Sequence, residues 1–332
     1  MEGSVKISRR SLFAAFVLTP ASRALAAQAV PEAWPRAILM ATGRPGGVYD
    51  TYGAAWGRIA QQTSGVTIAY RASGGAASDI LLIEQNAAQL GMTTVTVADQ
   101  ARMGSGSWTA GVKFGAFRAL FPMFPSILQI VTPRSSGITS LANLADRVIG
   151  MGPEGGSGAA VVPSIFASLG IIPAQAATGD YSNQLHDMQA GRLDACAFIG
   201  APPLPAIQKI AETEQLGIIG FTQAEAALVD RVIPGVHGMT IPAGTFARQS
   251  LAIASVGTAN FAIGAAHLPD ELVHTITLAA MRNQASLERA VPAAHIFHAP
   301  NVITPGQMPF HPGAAAALRS LGLVVPAEFV AR

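Results

Sequence analysis

The sequence predicts an α/β protein in which mostly parallel sheets are flanked by helices and one lobe is inserted into another. Three observations carry this expectation. Short apolar runs of strand length alternate with segments of helical periodicity along most of the chain. Three of the strand-to-helix passages run through Gly-rich loops. The pattern restarts near Pro133 and breaks again around Gly238–Pro242. The expected division is therefore 28–131 with 240–332 as a discontinuous first lobe, and 132–239 as the inserted second lobe. Spacing alone does not prove the return of 240–332 to the first lobe.

Each element follows from its residues. Ala37–Ala41 is a short apolar run and reads as a buried strand, followed by the loop Thr42–Tyr49. Tyr52, Ala55, Trp56, Ile59 and Ala60 then recur at helical spacing, and Gly65 closes that helix. Val66–Tyr70 is the next strand, Ser73–Ser78 a second Gly-rich loop, and Ile80–Ala88 a second helix. Leu90–Val95 reads as a strand. Thr96 and Asp99 give a capping-box-like start to a helix through Met103. Residues 104–116 read as loop, and Ala119–Phe124 and Ile127–Thr132 as two strands.

Beyond Pro133, Ile138–Leu144 reads as a short capped helix and Arg147–Met151 as a strand. The third Gly-rich loop, Gly152–Gly158, leads into a helix over Ala159–Leu169. A helix over Ser182–Ala190, a strand over Asp194–Ile199, a helix over Leu204–Glu212 and a strand over Gly217–Phe221 follow. The uncharged stretches Gly155–Gly179 and Ser250–Pro269 are interrupted by Gly, Pro, Ser, Asn or His. They read as doubly covered parallel strands rather than membrane spans.

Composition narrows the class. The 332 residues are 50% hydrophobic and 12% charged, against about a quarter charged in ordinary domains, which excludes disorder. The length suggests about two domains. A single cysteine excludes a disulfide framework and any CxxC-type zinc site. The formal charge of +2 is uneven: Lys6, Arg9, Arg10 and Arg23 stand against Glu2 in residues 1–26, leaving 17 basic and 18 acidic residues elsewhere. No basic patch remains that would argue for nucleic acid.

The N-terminus reads as an address. Arg9 and Arg10 enter the apolar run Leu12–Leu18, Pro20 ends it, and Ala24-Leu25-Ala26 offers small residues at the −3 and −1 positions for cleavage near Ala26 or Ala27. The arginine pair resembles the twin-arginine export signal. An amphipathic first helix of the fold is the alternative. The run is about half of the roughly 20 residues needed to span a bilayer. The mature chain is expected in the periplasm, and the export route stays open.

The Gly-rich loops carry the chemistry. Glycines let backbone approach a ligand closely, and helix starts offer free N–H groups and a positive dipole end to an anion. Loops from two lobes facing one cleft would hold a small carboxylate or phosphate-bearing solute. The plain alternative is that they make short turns. No loop carries GxGxxG, and Gly152–Gly158 lacks the lysine and Ser/Thr of a P-loop. Gly155-Gly156-Ser157-Gly158-Ala159 comes within one residue of the GxSxG nucleophile elbow, which keeps a serine hydrolase using Ser157 as the runner-up. His295 and His298 are three apart, but no HExxH or matching carboxylate spacing accompanies them, so no metal is expected. The histidines read as surface or capping residues. Cys196 reads as a small buried hydrophobe. Tyr49 reads as a cleft wall, and Trp56, Tyr70 and Trp108 as packing.

These residues also resemble a known family. Thr42-Gly43-Arg44-Pro45-Gly46-Gly47-Val48-Tyr49 is similar to a TGSPGGTYY-type loop, and Ser73-Gly74-Gly75-Ala76-Ala77-Ser78-Asp79 to a TGGSVEN-type loop. Gly152–Gly158 is similar to GPPGSGT, Gly191–Ala195 to GxIDA, Ile241–Phe246 to IPAGTY, and Phe310–Ala314 to FHPGA. In this order, over about Ala37 to Leu321, they resemble the TAXI family of solute receptors that serve TRAP transporters. The resemblance implies a two-lobed type II periplasmic binding protein with the ligand cleft between its lobes. It implies a small carboxylate as solute, an amino acid or a 2-oxo or dicarboxylic acid, handed to a TRAP-type membrane permease. Neither cofactor nor catalytic residue is implied, and a monomer is expected. A periplasmic sensor module is a further alternative. Carried over by position, the expected ligand contacts are Thr42, Gly46, Gly47, Tyr49, Ser73, Gly75, Thr94, Ser157 and Gly158. Ala76 replaces the family's usual serine and Asp79 its asparagine. A carboxylate at Asp79, if it reached the cleft, would oppose an anion.

Overall fold

The computed structural model describes residues 1–2, 30–291 and 304–331. The export-signal reading of residues 1–27 therefore lies outside the described residues except at Met1 and Glu2, as do His295 and His298.

Two parallel three-stranded units are joined by two long strands. In the first unit β1 (Ala37–Ala41) lies between β2 (Thr67–Arg71) and β3 (Leu90–Thr94). Helices α1 (Val48–Ser64) and α2 (Ala76–Glu84) are its crossovers, and α3 (Val95–Met103) follows β3. The long strand β4 (Phe117–Pro133) leads to the second unit. There β5 (Val148–Gly150) lies between β6 (Gln175–Ala177) and β7 (Ala195–Gly200), with α4 (Ser157–Ser168) and α5 (Tyr181–Gln189) as crossovers. Then come α6 (Pro205–Thr213), β8 (Leu216–Ile219), α7 (Gln223–Val232) and β9 (His237–Ile241). The second long strand, β10 (Ile253–Ala265), returns antiparallel to β4, and α8 (Asp270–Arg282), α9 (Gln284–Ala290) and α10 (Pro312–Ser320) close the chain. The sheet order is β2-β1-β3-β10-β4-β7-β5-β6, with β8 paired to β4 and β9 to β10.

Several expectations are corrected. The two strands expected around Pro125 are one, β4. Pro122 faces Phe261 and Pro125 faces Ala259, so β4 carries an extra residue there and the register shifts. Such a bulge accommodates prolines that have no N–H to give the ladder. The stretch Ser250–Pro269 contains β10, which is antiparallel to both neighbours in the sheet, while Gly155–Gly179 contains α4 and β6. The helix expected over Ile138–Leu144 is a 3-10 turn at Leu141–Leu144, opened by a Ser140–Asn143 capping box. Thr94, not Thr96, caps α3: its hydroxyl accepts the Val97 N–H at 3.3 Å. The Thr96 hydroxyl bonds Thr258 on β10 instead.

The core packs the sheet against its helices. Trp56 on α1 is fully buried and stands edge-on to Phe121 on β4, 5.2 Å between ring centroids. Cys196 is buried on β7, and burial pushes its thiol up, which suits an inert hydrophobe. Trp108 is half-buried and stacks on Phe114. Tyr70 departs from the packing expectation: it is 47% exposed and lies across Gly57 of α1. His311 caps α10 and is buried, and His237 pairs with Asp230 at the surface. Among the described residues no helix is long and apolar enough to cross a membrane.

Candidate functional site

Three helices begin at one cavity. The N-cap residues of α1, α2 and α4 are Gly47, Gly75 and Gly156, and none of these helices has a side-chain cap. All three glycines line a cavity of about 450 Å³, its mouth included. First-turn N–H groups have no acceptor within their own helix, although in α2 the Gly155 carbonyl already takes those of Ala77 and Ser78, and each helix adds the positive end of its dipole. The loops before α1 and α2 leave the parallel strands of the first unit; the loop before α4 leaves the second. An anion in the cavity would thus be held from both sides by backbone.

The remaining walls are mostly apolar. Tyr49, Phe124, Tyr181, Ile199 and Leu204 line the cavity, with Ser126 and Ser157 as hydroxyl groups and Arg44 as its charged lining residue. Arg44 reaches Asp180 at 3.4 Å, both about half-exposed. The Tyr49 hydroxyl donates to Asn260 Oδ1 at 2.5 Å. Asn260 Nδ2 in turn donates to the Phe124 carbonyl and the Ser126 hydroxyl. Asn260 lies on β10 beside the β4 bulge, so this network ties the α1 terminus to both long strands. Burial raises the Tyr49 phenol well above its ordinary value, helped by Asp79 and Tyr181. Burial also pushes Tyr181 up to about 12. Both phenols remain neutral donors at ordinary pH.

The two sides touch directly, so the cleft is closed. The Gly155 carbonyl accepts the N–H groups of Ala77 and Ser78, each at 3.0 Å. A Cβ on Gly74 would stand 1.9 Å from the Glu154 carbonyl oxygen, and one on Gly75 would stand 3.2 Å from Gly156 Cα. Only backbones without side chains approach so closely. On α3, Gln100 donates to the Ala160 carbonyl of α4 at 3.2 Å, and its own carbonyl is held by the Trp108 indole N–H.

Behind the loops lies a relay. The Ser73 hydroxyl accepts N–H bonds from Gly43 and Gly75 at 2.9 and 3.1 Å, and donates to Asp79. The other Asp79 oxygen accepts the Met92 N–H of β3 at 3.0 Å. Asp79 is fully buried and does not line the cavity. Burial pushes its carboxyl up to about 7, against the pull of its bonds to Ser73 and Met92. Its role is to fix the shape of two loops, not to face a solute.

Among the expected ligand contacts, Gly47, Tyr49, Gly75 and Ser157 line the cavity. The others stand off it. Thr42 bonds the Arg71 carbonyl and presses its methyl group on Gly53. Gly46 sits in the turn before α1 with φ of 80°. Ser73 and Thr94 serve the relay and the α3 cap. Gly158 lets α4 lie on β5, since a Cβ there would meet the Met151 carbonyl at 2.3 Å. Sequence reasoning missed Phe124, Ser126, Tyr181, Leu204 and Asn260. They come from distant segments, and only Asn260, a polar residue within an apolar run, carried a signal that could have been read.

Solved structures share this architecture. A protein from Bordetella bronchiseptica RB50 is 13% identical over 89% of this chain and 86% of its own, with a TM-score of 0.52. An ancestral arginine-binding protein bound to arginine is 12% identical over 78% of this chain and 98% of its own, at 0.50. A putative L-cystine ABC transporter protein from Listeria monocytogenes is 12% identical over 78% and 96%, at 0.50. At these identities the likeness is one of fold, the two-lobed type II periplasmic-binding-protein fold. The sequence itself matches the family pattern from residue 40 to residue 322, and the chain belongs to the NMT1-like family.

Proposed function

We propose that this protein is a periplasmic receptor that captures a small carboxylate by closing its cleft and delivers it to a TRAP-type permease. The observation that carries the reading is the convergence of three glycine-capped helix starts, from both sides, on one closed cavity. The solute's carboxylate takes the place of the missing caps on α1 and α4, while the Gly155 carbonyl already caps α2. Gly47, Tyr49, Gly75 and Ser157 contact it, and Thr42, Gly46, Ser73, Thr94 and Gly158 shape the loops that do. The lobes are 28–131 with 240–332, and 132–239, moving about β4 and β10. Solute binding shifts an open–closed equilibrium, and the permease reads the closed form. Similar folds bind arginine in one relative and belong to a putative L-cystine transporter in another, which supports a small polar solute. The six motifs shared with the TAXI family support the TRAP partner, and the twin-arginine segment supports export.

Catalysis has no part in this reading. Ser157 opens α4 and carries no hydrogen bond to a histidine among the described residues. The test is thermal unfolding of the chain from Gln28 onward against amino acids, 2-oxoacids and dicarboxylates. A solute at about 100 times its dissociation constant stabilises by roughly 2.7 kcal/mol. One hit recovered chemically unchanged supports the receptor; turnover of an ester panel that Ser157→Ala abolishes would establish the hydrolase instead.

A further inference from the structure

A second groove lies at the far end of the inserted unit, between β8 and the β9–β10 connection. Its space is about 1180 Å³, mouth included. Leu216, Gly217, Ile218 and Ile219 all line it. Side chains of successive strand residues point to opposite faces, so four consecutive lining residues mean that the groove runs along the strand's edge.

The register shows that this edge is free. β8 pairs antiparallel with β4, Thr132 opposite Gly217 and Ile130 opposite Ile219. The Arg134 N–H donates to the Gln215 carbonyl, which is the next pair of the same ladder. Hydrogen-bonded pairs alternate along an antiparallel ladder, so Gly217 and Ile219 bond β4. Leu216 and Ile218 then direct their N–H and C=O groups away from it, into the groove. β8 pairs with no other strand, and these groups have no partner among the described residues.

The groove's chemistry selects an occupant. The opposite wall carries Phe246, Leu251 and Ile253, and Leu251 is 76% exposed. Arg134 and Arg248 also line it, and neither guanidinium has a carboxylate partner among the described residues. Arg248 adopts a φ of 65°, uncommon for a residue with a side chain. An unpaired edge offers backbone bonds, an apolar wall takes alternate side chains, and two unmatched cations ask for carboxylates.

We propose that β8 is a docking edge for an extended segment of a partner protein, apolar at alternate positions and flanked by acidic residues, which adds to the sheet as a strand. Four strand residues at about 3.3 Å each give a seat for roughly four residues, with a flanking residue reaching past it. The site is separate from the cleft, and its test needs no cleft solute.

The probe is a fluorescein-labelled acetyl-Glu-Val-Thr-Val-Glu-amide peptide, with its Lys-for-Glu counterpart as control. Anisotropy should rise with the acidic peptide and much less with the basic one. The Leu216 and Ile218 amides, fast-exchanging in the free protein, should slow when it binds. Arg134→Glu with Arg248→Glu leaves the backbone intact and should weaken the acidic peptide about tenfold. Ile218→Pro removes an outward N–H but no bond to β4, and should weaken both the binding and the protection. Four results would overturn the proposal: no binding up to about 1 mM peptide, equal binding of both peptides, binding without protection at Leu216 and Ile218, or occupation of the edge by a second copy of this chain, seen as a dimer that the charge reversal disperses.

Discussion

Gly74→Ala isolates closure from folding. The new methyl carbon would stand 1.9 Å from the Glu154 carbonyl oxygen, where ordinary contact begins at 3.4 Å. The loops must therefore part by about 1.5 Å, which stretches the 3.0 Å bonds from Ala77 and Ser78 to Gly155 beyond the hydrogen-bonding range. Two such bonds contribute about 0.5–1.5 kcal/mol each. A loss of about 1–3 kcal/mol lowers the closed-to-open ratio by about 5- to 150-fold. Gly74 does not use the backbone region reserved for glycine, so the open form accepts alanine. The solute-free variant should unfold within about 0.5 kcal/mol of the parent. Calorimetric titration should show solute affinity lower by the stated factor, and X-ray scattering with solute should show a larger radius of gyration than the parent. A variant that binds and contracts like the parent would refute the claim that these loops meet in the bound state.

Other expectations follow from the same contacts. The raised carboxyl of Asp79 holds its proton up to about pH 7 in the fold, but an unfolded carboxyl loses it near 4. Its contribution to stability is thus complete below about pH 4 and lost as pH rises through 7. Urea titrations should show the parent weakening from pH 5 to pH 8 and Asp79→Asn weakening less; equal slopes would contradict the assignment. Asp99, raised to about 6 by burial, leaves a smaller slope of the same sign in the variant. Tyr49→Phe removes the bond to Asn260 and should cost about 1 kcal/mol of stability, read by denaturant melts, with a loss of solute affinity that Trp56 variants do not share. Trp56→Ala should cost about 3–5 kcal/mol in the same melts. Trp56→Phe should cost clearly less, because the buried indole N–H has no partner among the described residues.

The sequence spoke most clearly where pattern is local. Ala37–Ala41 as a strand and Gly65 as the stop of α1 stand as read, the latter because Gly65 takes the left-handed conformation at the cap. The three Gly-rich loops were legible as helix entries, and their cap glycines all reach the cavity. What stayed hidden is tertiary. Pro125 reads as a break, yet the β4 bulge carries the strand through it. The three residues of β6 are too few for any periodicity. Asp79 looked like a threat to an anion until burial placed it behind Ser73, where its carboxyl serves the loops through hydrogen bonds. Tyr181 and Leu204 enter the cavity only because the second three-stranded unit faces the first across two shared strands.

The central claim is that backbone N–H groups from both lobes hold a carboxylate. The most direct measurement is calorimetric titration of the refolded chain from Gln28 onward with each carboxylate of the panel and with its neutral amide. The account predicts one carboxylate binding at one site per chain and its amide failing to bind. Equal binding of acid and amide, or no binding by any carboxylate to the refolded chain, would contradict it.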